Sequence, residues 1–368
     1  MTPARDAATL ESRRTHRVAL ALFYALLLLA SLEVVLGDSA RDTLGLGDVL
    51  RGLRAMLGLG EPLGELAQPR IELRVWRTLT AAGVGACLAV AGALLQGLFR
   101  NPLASPSLIG VTAGASFGQA LAVLALGGYT HALVGAGLTD AGPWLTTAAA
   151  FVGALVVGAG VVLVGRRLSL HRGVATLLLL GVAVNTCIAG ALAAVQDLLA
   201  TRSDFDTLKA LLTWSTGTLD DRRPYQCVLV GIGVVVAAAL TPRVSRELDL
   251  LSAGEDDARS LGVDTDRVHR LALVAAAFAT ACAVAAAGQI GFVGLVVPHL
   301  LRLAVSTSHR ALLPLSILGG AVFVLLTDVT QRIALGDRPL HPGPVMSLIG
   351  GPLFLWLLVR HLRRQPAW

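Results

Sequence analysis

Apolar and polar positions fall in long blocks along this chain. Ten apolar runs can be marked, with cores near 18–37, 79–99, 105–127, 144–165, 174–195, 224–241, 271–288, 290–305, 311–335 and 344–359. A helix needs about 20 apolar residues to cross the hydrocarbon of a bilayer, so the pattern predicts an all-α integral membrane protein of about ten transmembrane helices. The eighth run is interrupted by Gly288, Gly291, Gly294 and Pro298. Backbone broken at membrane depth survives only against protein or a watery path. The expected organisation is a tail over 1–17, one membrane domain over 18–360 and a second tail over 361–368. A charged interruption, 242–267, lies between the sixth and seventh runs.

Basic residues orient the pattern. With the N-terminus in the cytoplasm, 18 of the 30 Lys and Arg fall inside, the direction the positive-inside rule favours. Ten spans then place both termini in the cytoplasm. The first run follows Arg13, Arg14 and Arg17 and is longer than the 7–15 apolar residues of a signal peptide, so it reads as an uncleaved helix. The composition fits: 55% hydrophobic and 15% charged residues, with mean hydropathy +0.71. The net charge of +6 comes from arginines scattered through loops, with no basic arm for nucleic acid. Cys87, Cys187, Cys227 and Cys282 stand in apolar stretches without CxxC spacing, which predicts free thiols.

Candidate chemistry is sparse. The chain has one lysine, Lys209, and no Gly-Lys-Ser/Thr, so it has no P-loop of its own. No HExxH or GxSxG motif is present, and His299, after Pro298, reads as a structural group. Asp328 is an acid within an apolar run, and Arg332 one turn on supplies a partner. Gly110, Gly114 and Gly118 line one face of the third run, where small residues let helices approach closely in lipid; lining a path is compatible with that. The stretches 86–92 and 281–288 share an alanine-rich pattern that hints at an internal repeat.

The 242–267 segment is the sharpest local signal. Ser252-Ala-Gly-Glu255 fits a capping box, and Gly262 fits a left-handed helix stop, so a short helix from about 253 to 261 is expected. A rigid helix in a chain with otherwise minimal loops suggests a handle for a partner.

Four stretches together carry a resemblance. They are Gly92 through Pro106 (with Gln96, Arg100, Asn101 and Pro102) continuing to Gly110 and Gly114; Leu250 through Val263; Gly288 through His299 with Arg302; and Ile349 through Phe354. They resemble the FecCD-type permeases, the membrane subunits of ABC importers for iron–siderophores, haem and vitamin B12. The chain departs from the usual pattern at Trp76-Arg77 and at His341-Pro342-Gly343-Pro344. The resemblance implies a vitamin B12 importer-like (type II) permease fold in the cytoplasmic membrane and no enzymatic activity. It implies a second permease subunit, two ATP-binding subunits holding ATP and Mg, and an extracytoplasmic substrate-binding protein. No cofactor is expected on this chain, and an iron–siderophore is the expected cargo, ahead of vitamin B12 and haem. By the same resemblance, Ser252, Gly254, Glu255, Ala258, Arg259, Leu261 and Gly262 couple to the ATPase. Arg172, Gly173, Val174, Ala175 and Thr176 occupy a cytoplasmic gate, and Arg74, Arg77 and Arg332 receive acidic residues of the binding protein.

Overall fold

The computed structural model describes residues 3–36, 45–65, 67–126, 141–168, 174–202, 204–220, 222–305, 308–335 and 340–362. Among them are thirteen α-helices: α1 (Pro3–Leu36), α2 (Leu46–Met56), α3 (Ala67–Leu98), α4 (Val111–Ala125), α5 (Ala141–Leu168), α6 (Val174–Thr201), α7 (Phe205–Ser215), α8 (Pro224–Leu251), α9 (Glu255–Ser260), α10 (Thr265–Ala287), α11 (Val293–Ala304), α12 (His309–Leu335) and α13 (Pro342–Leu362). Each of the ten predicted runs falls on a helix. Seven described helices (α1, α3, α5, α6, α8, α10 and α12) are long and apolar enough to cross a membrane. The third and eighth runs prove shorter as helices than expected: a 3-10 turn (Pro106–Ile109) precedes α4, and the backbone breaks over 288–292 before α11.

α3 forms the centre. It packs against α8, α10, α11 and α12, and most of its length is buried. Alanine and glycine dominate these contacts, as expected where hydrophobicity alone gives helices no reason to associate and close van der Waals contact must do so. A Cβ on Gly92 would overlap the Gly294 carbonyl of α11, and one on Gly85 would overlap the Gly320 carbonyl of α12. Gly114 meets Gly153 of α5 in the same way, and Gly118 meets the Ala149 carbonyl, while Gly110 forms the joint between the 3-10 turn and α4. α4 and α5 thus form a second tight pair beside the α3 core.

Two amphipathic helices fall outside the ten runs. α2 presents Val49 and Gly52 inward, and Ile71 of α3 fills the space a Gly52 side chain would need. α7 starts at Asp204, whose carboxylate accepts the Thr207 N–H at 3.3 Å, an N-cap that satisfies one of the helix's free donors. The end of α7 meets the chain break: Thr218 N–H donates to the Ala287 carbonyl (2.8 Å) and Gly343 N–H to the Thr216 carbonyl (3.0 Å). At the break, Gly288 has φ +73 and the Trp214 carbonyl occupies the space a Cβ would need, a left-handed, crowded position that suits only glycine.

Candidate functional site

The 242–267 segment is more helical than expected. α8 continues through Pro242 to Leu251, α9 follows after a three-residue turn, and α10 starts at Thr265. The expected capping box is absent. Ser252 ends α8 and its hydroxyl donates to the Asp249 carbonyl (2.6 Å), while Glu255 accepts from Arg259 Nη2 (2.8 Å). Gly254, with φ +148, takes the N-cap position without any side-chain bond. The reason is geometric: Ser252 is still helical at the end of α8, so its hydroxyl bonds backwards and cannot reach the first turn of α9.

The other end of α9 closes as a Schellman turn. Gly262 has φ +84, its N–H donates to the Arg259 carbonyl (2.9 Å), and the Val263 N–H donates to the Ala258 carbonyl (3.0 Å). Asp264 then caps α10 by accepting the Arg267 N–H at 2.9 Å. Arg259 holds the two helices together, bonding Glu255 within α9 and donating from Nε to Thr265 Oγ1 of α10 (3.1 Å). Ala258 is fully buried against the core. The opposite face carries Glu255, Asp256 and Asp257 beside Leu261, which is 67% exposed. The result is a short, fixed helix that projects acidic groups and one large apolar side chain.

The base of this projection is tied to the bundle. Asp249, in the last turn of α8, accepts the His309 N–H and His309 Nδ1, each at 2.7 Å, and Ser308 Oγ at 2.8 Å. It thereby caps α12 from a neighbouring helix, where the unpaired N–H groups of a helix start favour a carboxylate. Neither Asp249 nor His309 stood out in the sequence. Their signal would have been an acid at the end of one helix and a Ser-His pair opening another, and no local pattern joins residues 60 apart.

The three arginines expected to meet a binding protein lie buried within the bundle. Arg74, Arg77 and Arg332 are only 4%, 6% and 2% exposed. Arg74 donates to the Val34 and Val35 carbonyls at the end of α1 (3.2 and 3.3 Å). Arg77 forks onto Asp328 (3.0 Å to each oxygen), lies 3.6 Å from Glu33, and bonds Asp220 of the α7–α8 connection. Arg332 Nε donates to Asp328 at 3.0 Å, the one-turn pair that spacing predicts, and Gln331 donates to Asp328 as well (2.8 Å). Arg74 and Arg77 are turned into the bundle, where carbonyls of α1 accept from Arg74 and carboxylates surround Arg77. Of the expected gate, Arg172 and Gly173 lie outside the described residues, and Val174–Thr176 open α6.

Comparison with known proteins follows this architecture. Residues 18–360 match the FecCD transport family. The chain belongs to the FecCD transport family. As a FecCD permease it is 41% identical to the cobalamin import system permease of Halobacterium salinarum, over 83% of this chain and 76% of that one. The hemin transport system permease of Yersinia pestis is 35% identical over 80% of this chain and 84% of its own. The vitamin B12 import system permease of Vibrio cholerae is 40% identical, over 79% and 82%. In structure, this FecCD chain superposes on a metal-chelate type ABC transporter in an inward-facing conformation with TM-score 0.75 and 28% identity, covering 94% of this chain and 99% of the other. The chain is therefore a multi-pass membrane permease of the ABC importer class.

Proposed function

We propose that this FecCD chain is the membrane subunit of a binding-protein-dependent importer of the cytoplasmic membrane, with both termini in the cytoplasm. Two permease subunits form the path, two separate ATP-binding subunits drive it, and a soluble protein delivers cargo from outside. The observation that carries this reading is α9. A capped, bundle-tied helix exposing Leu261 and three acids suits a groove on a partner and has no evident use within the chain. Ser252, Gly254, Glu255, Ala258, Arg259, Leu261 and Gly262 are the coupling residues in this reading: some touch the ATPase and the others hold the helix rigid. Val174–Thr176, with Arg172 and Gly173, remain the proposed cytoplasmic gate.

For cargo we propose a corrinoid. Iron–siderophore transport is the commoner expectation for the family, but the relatives at 40% and 41% identity are named for vitamin B12 and cobalamin import, and the one at 35% for hemin. The test is reconstitution in proteoliposomes with the ATP-binding subunits, measuring uptake of cyanocobalamin, haemin and a ferric siderophore. ATP-dependent cyanocobalamin uptake is expected. Uptake that proceeds without ATP, or no association with an ATP-binding subunit, overturns the importer reading. Preference for haemin or the siderophore overturns only the cargo.

A further inference from the structure

We propose that Asp249, His309 and Gln96 form a strut that carries movement of the coupling loop to the chain break between α10 and α11; the proposal rests on α9 being the ATPase contact. Asp249 lies one turn before the α8–α9 connection and accepts from two donors of His309, the first residue of α12, and from the hydroxyl of Ser308 just before it. α8, which carries α9, therefore cannot shift without either moving the start of α12 or breaking a charge-assisted cap. The buried His309 ring is the next member. Its Nε2 fills the space where a side chain at Gly97 of α3 would stand.

The neighbouring residue of α3 takes the contact onward. Gln96 is 2% exposed, and its Nε2 donates to the Gly294 carbonyl (3.1 Å) and the Leu295 carbonyl (3.4 Å) in the first turn of α11. The Gly294 bond has a specific cause. In a helix that carbonyl would accept the N–H of residue 298, and residue 298 is proline, which has none. Gln96 supplies the missing donor, and Arg302 Nη1 in turn donates to Gln96 Oε1, holding the amide in that orientation. Gly294 is the second residue of α11, which follows the 288–292 break, where Gly288 and Phe292 both have positive φ. The break is linked further to α4 by Gln289 Nε2 donating to Ser116 Oγ at 2.6 Å. A continuous line of close contacts thus runs from the loop beside α9 to the one place in the α10–α11 pair where the backbone can turn.

The strut is testable without knowing the cargo. Gly291, in the break, is exposed, and a Cβ there meets no atom within 4 Å. A thiol introduced by Gly291→Cys, with Cys187 and Cys227 replaced by serine, reports the state of the break through its maleimide labelling rate. The complex with its ATP-binding subunits is labelled with and without ATP. ATP is expected to change the rate at least about fivefold, the lower end of ordinary coupling between sites. Asp249→Ala or Gln96→Ala should remove most of that change while ATP is still hydrolysed, and the double variant should do no worse than the stronger single one. Asp249→Asn, which keeps an acceptor for the His309 N–H, should restore part of the response and serves if the alanine variant does not fold. An ATP response of parental size in both alanine variants overturns the strut, as does a double variant whose loss is the product of the singles. No ATP response in the parent, with hydrolysis intact, instead counts against the coupling reading beneath it.

Discussion

The buried ion cluster around Asp328 makes the most demanding prediction. Asp328 and Arg332 are each 2% exposed, Arg77 is 6% exposed, and Asp328 alone accepts from Arg77, Arg332 and Gln331. Asp328→Ala leaves two guanidinium groups in a low-dielectric site. Arg77 keeps Glu33 and Asp220, but Arg332 loses the carboxylate that its Nε addresses. Breaking one side of a buried pair costs about 3–5 kcal/mol because the remaining charge is left buried. Asp220 is the internal control: it bonds the same Arg77, but its side chain is 53% exposed. Its removal should cost no more than about 1 kcal/mol, the range of solvent-screened pairs. The assay is the thermal midpoint of monodisperse protein in detergent, followed by fluorescence-detected size exclusion. On the scaling for folded domains, Asp328→Ala should lower it by on the order of 5–10 °C, and Asp220→Ala by a small fraction of that. Equal shifts for the two variants would refute the view that burial, more than partner count, sets the strength of this cluster.

Two further outcomes follow from the glycines. Gly92→Val should prevent α3 and α11 from closing and abolish the monodisperse peak, whereas Gly160→Ala, whose Cβ meets nothing within 4 Å, should leave that peak unchanged. Gly262→Val should insert normally yet lose ATPase stimulation, because φ +84 strains a β-branched residue although the site is open; Gly262→Asn, which tolerates that conformation, should retain most of it.

Much of the fold was legible because a bilayer enforces a simple rule, one long apolar run per crossing. The runs at 79–99 and 271–288 located α3 and α10, and Gly262 marked the stop of α9 through a local backbone need. What the apolar pattern could not separate was lipid from protein as the surrounding medium. α6 is mostly exposed and α3 mostly buried, yet both read as continuous apolar runs. α2 and α7 were missed because each is only 11 residues long and half polar, although Asp204 with Thr207 and the Leu46, Val49, Leu50, Leu53 spacing were the available signals. The burial of the arginines was hidden for a related reason. Arg74 and Arg77 sit at the end of an apolar run whether they face water or turn inward; the carbonyls that hold Arg74 belong to α1, and the acid that holds Arg77, Asp328, lies 251 residues further on.

That separation bears on how the chain is made. Arg77 enters the membrane with α3, long before α12 exists, and at the usual synthesis rate 251 residues take roughly 10–50 s. Its partners emerge in a fixed sequence. Glu33 of α1 is already in place, Asp220 follows with the α7–α8 connection, and Asp328 comes last with α12. The guanidinium therefore passes from one carboxylate to a full set as translation proceeds. A ribosome stalled before α12 should hold α3 in the bilayer only while Glu33 is present, so the first helix acts as a temporary counter-ion during biogenesis as well as a span.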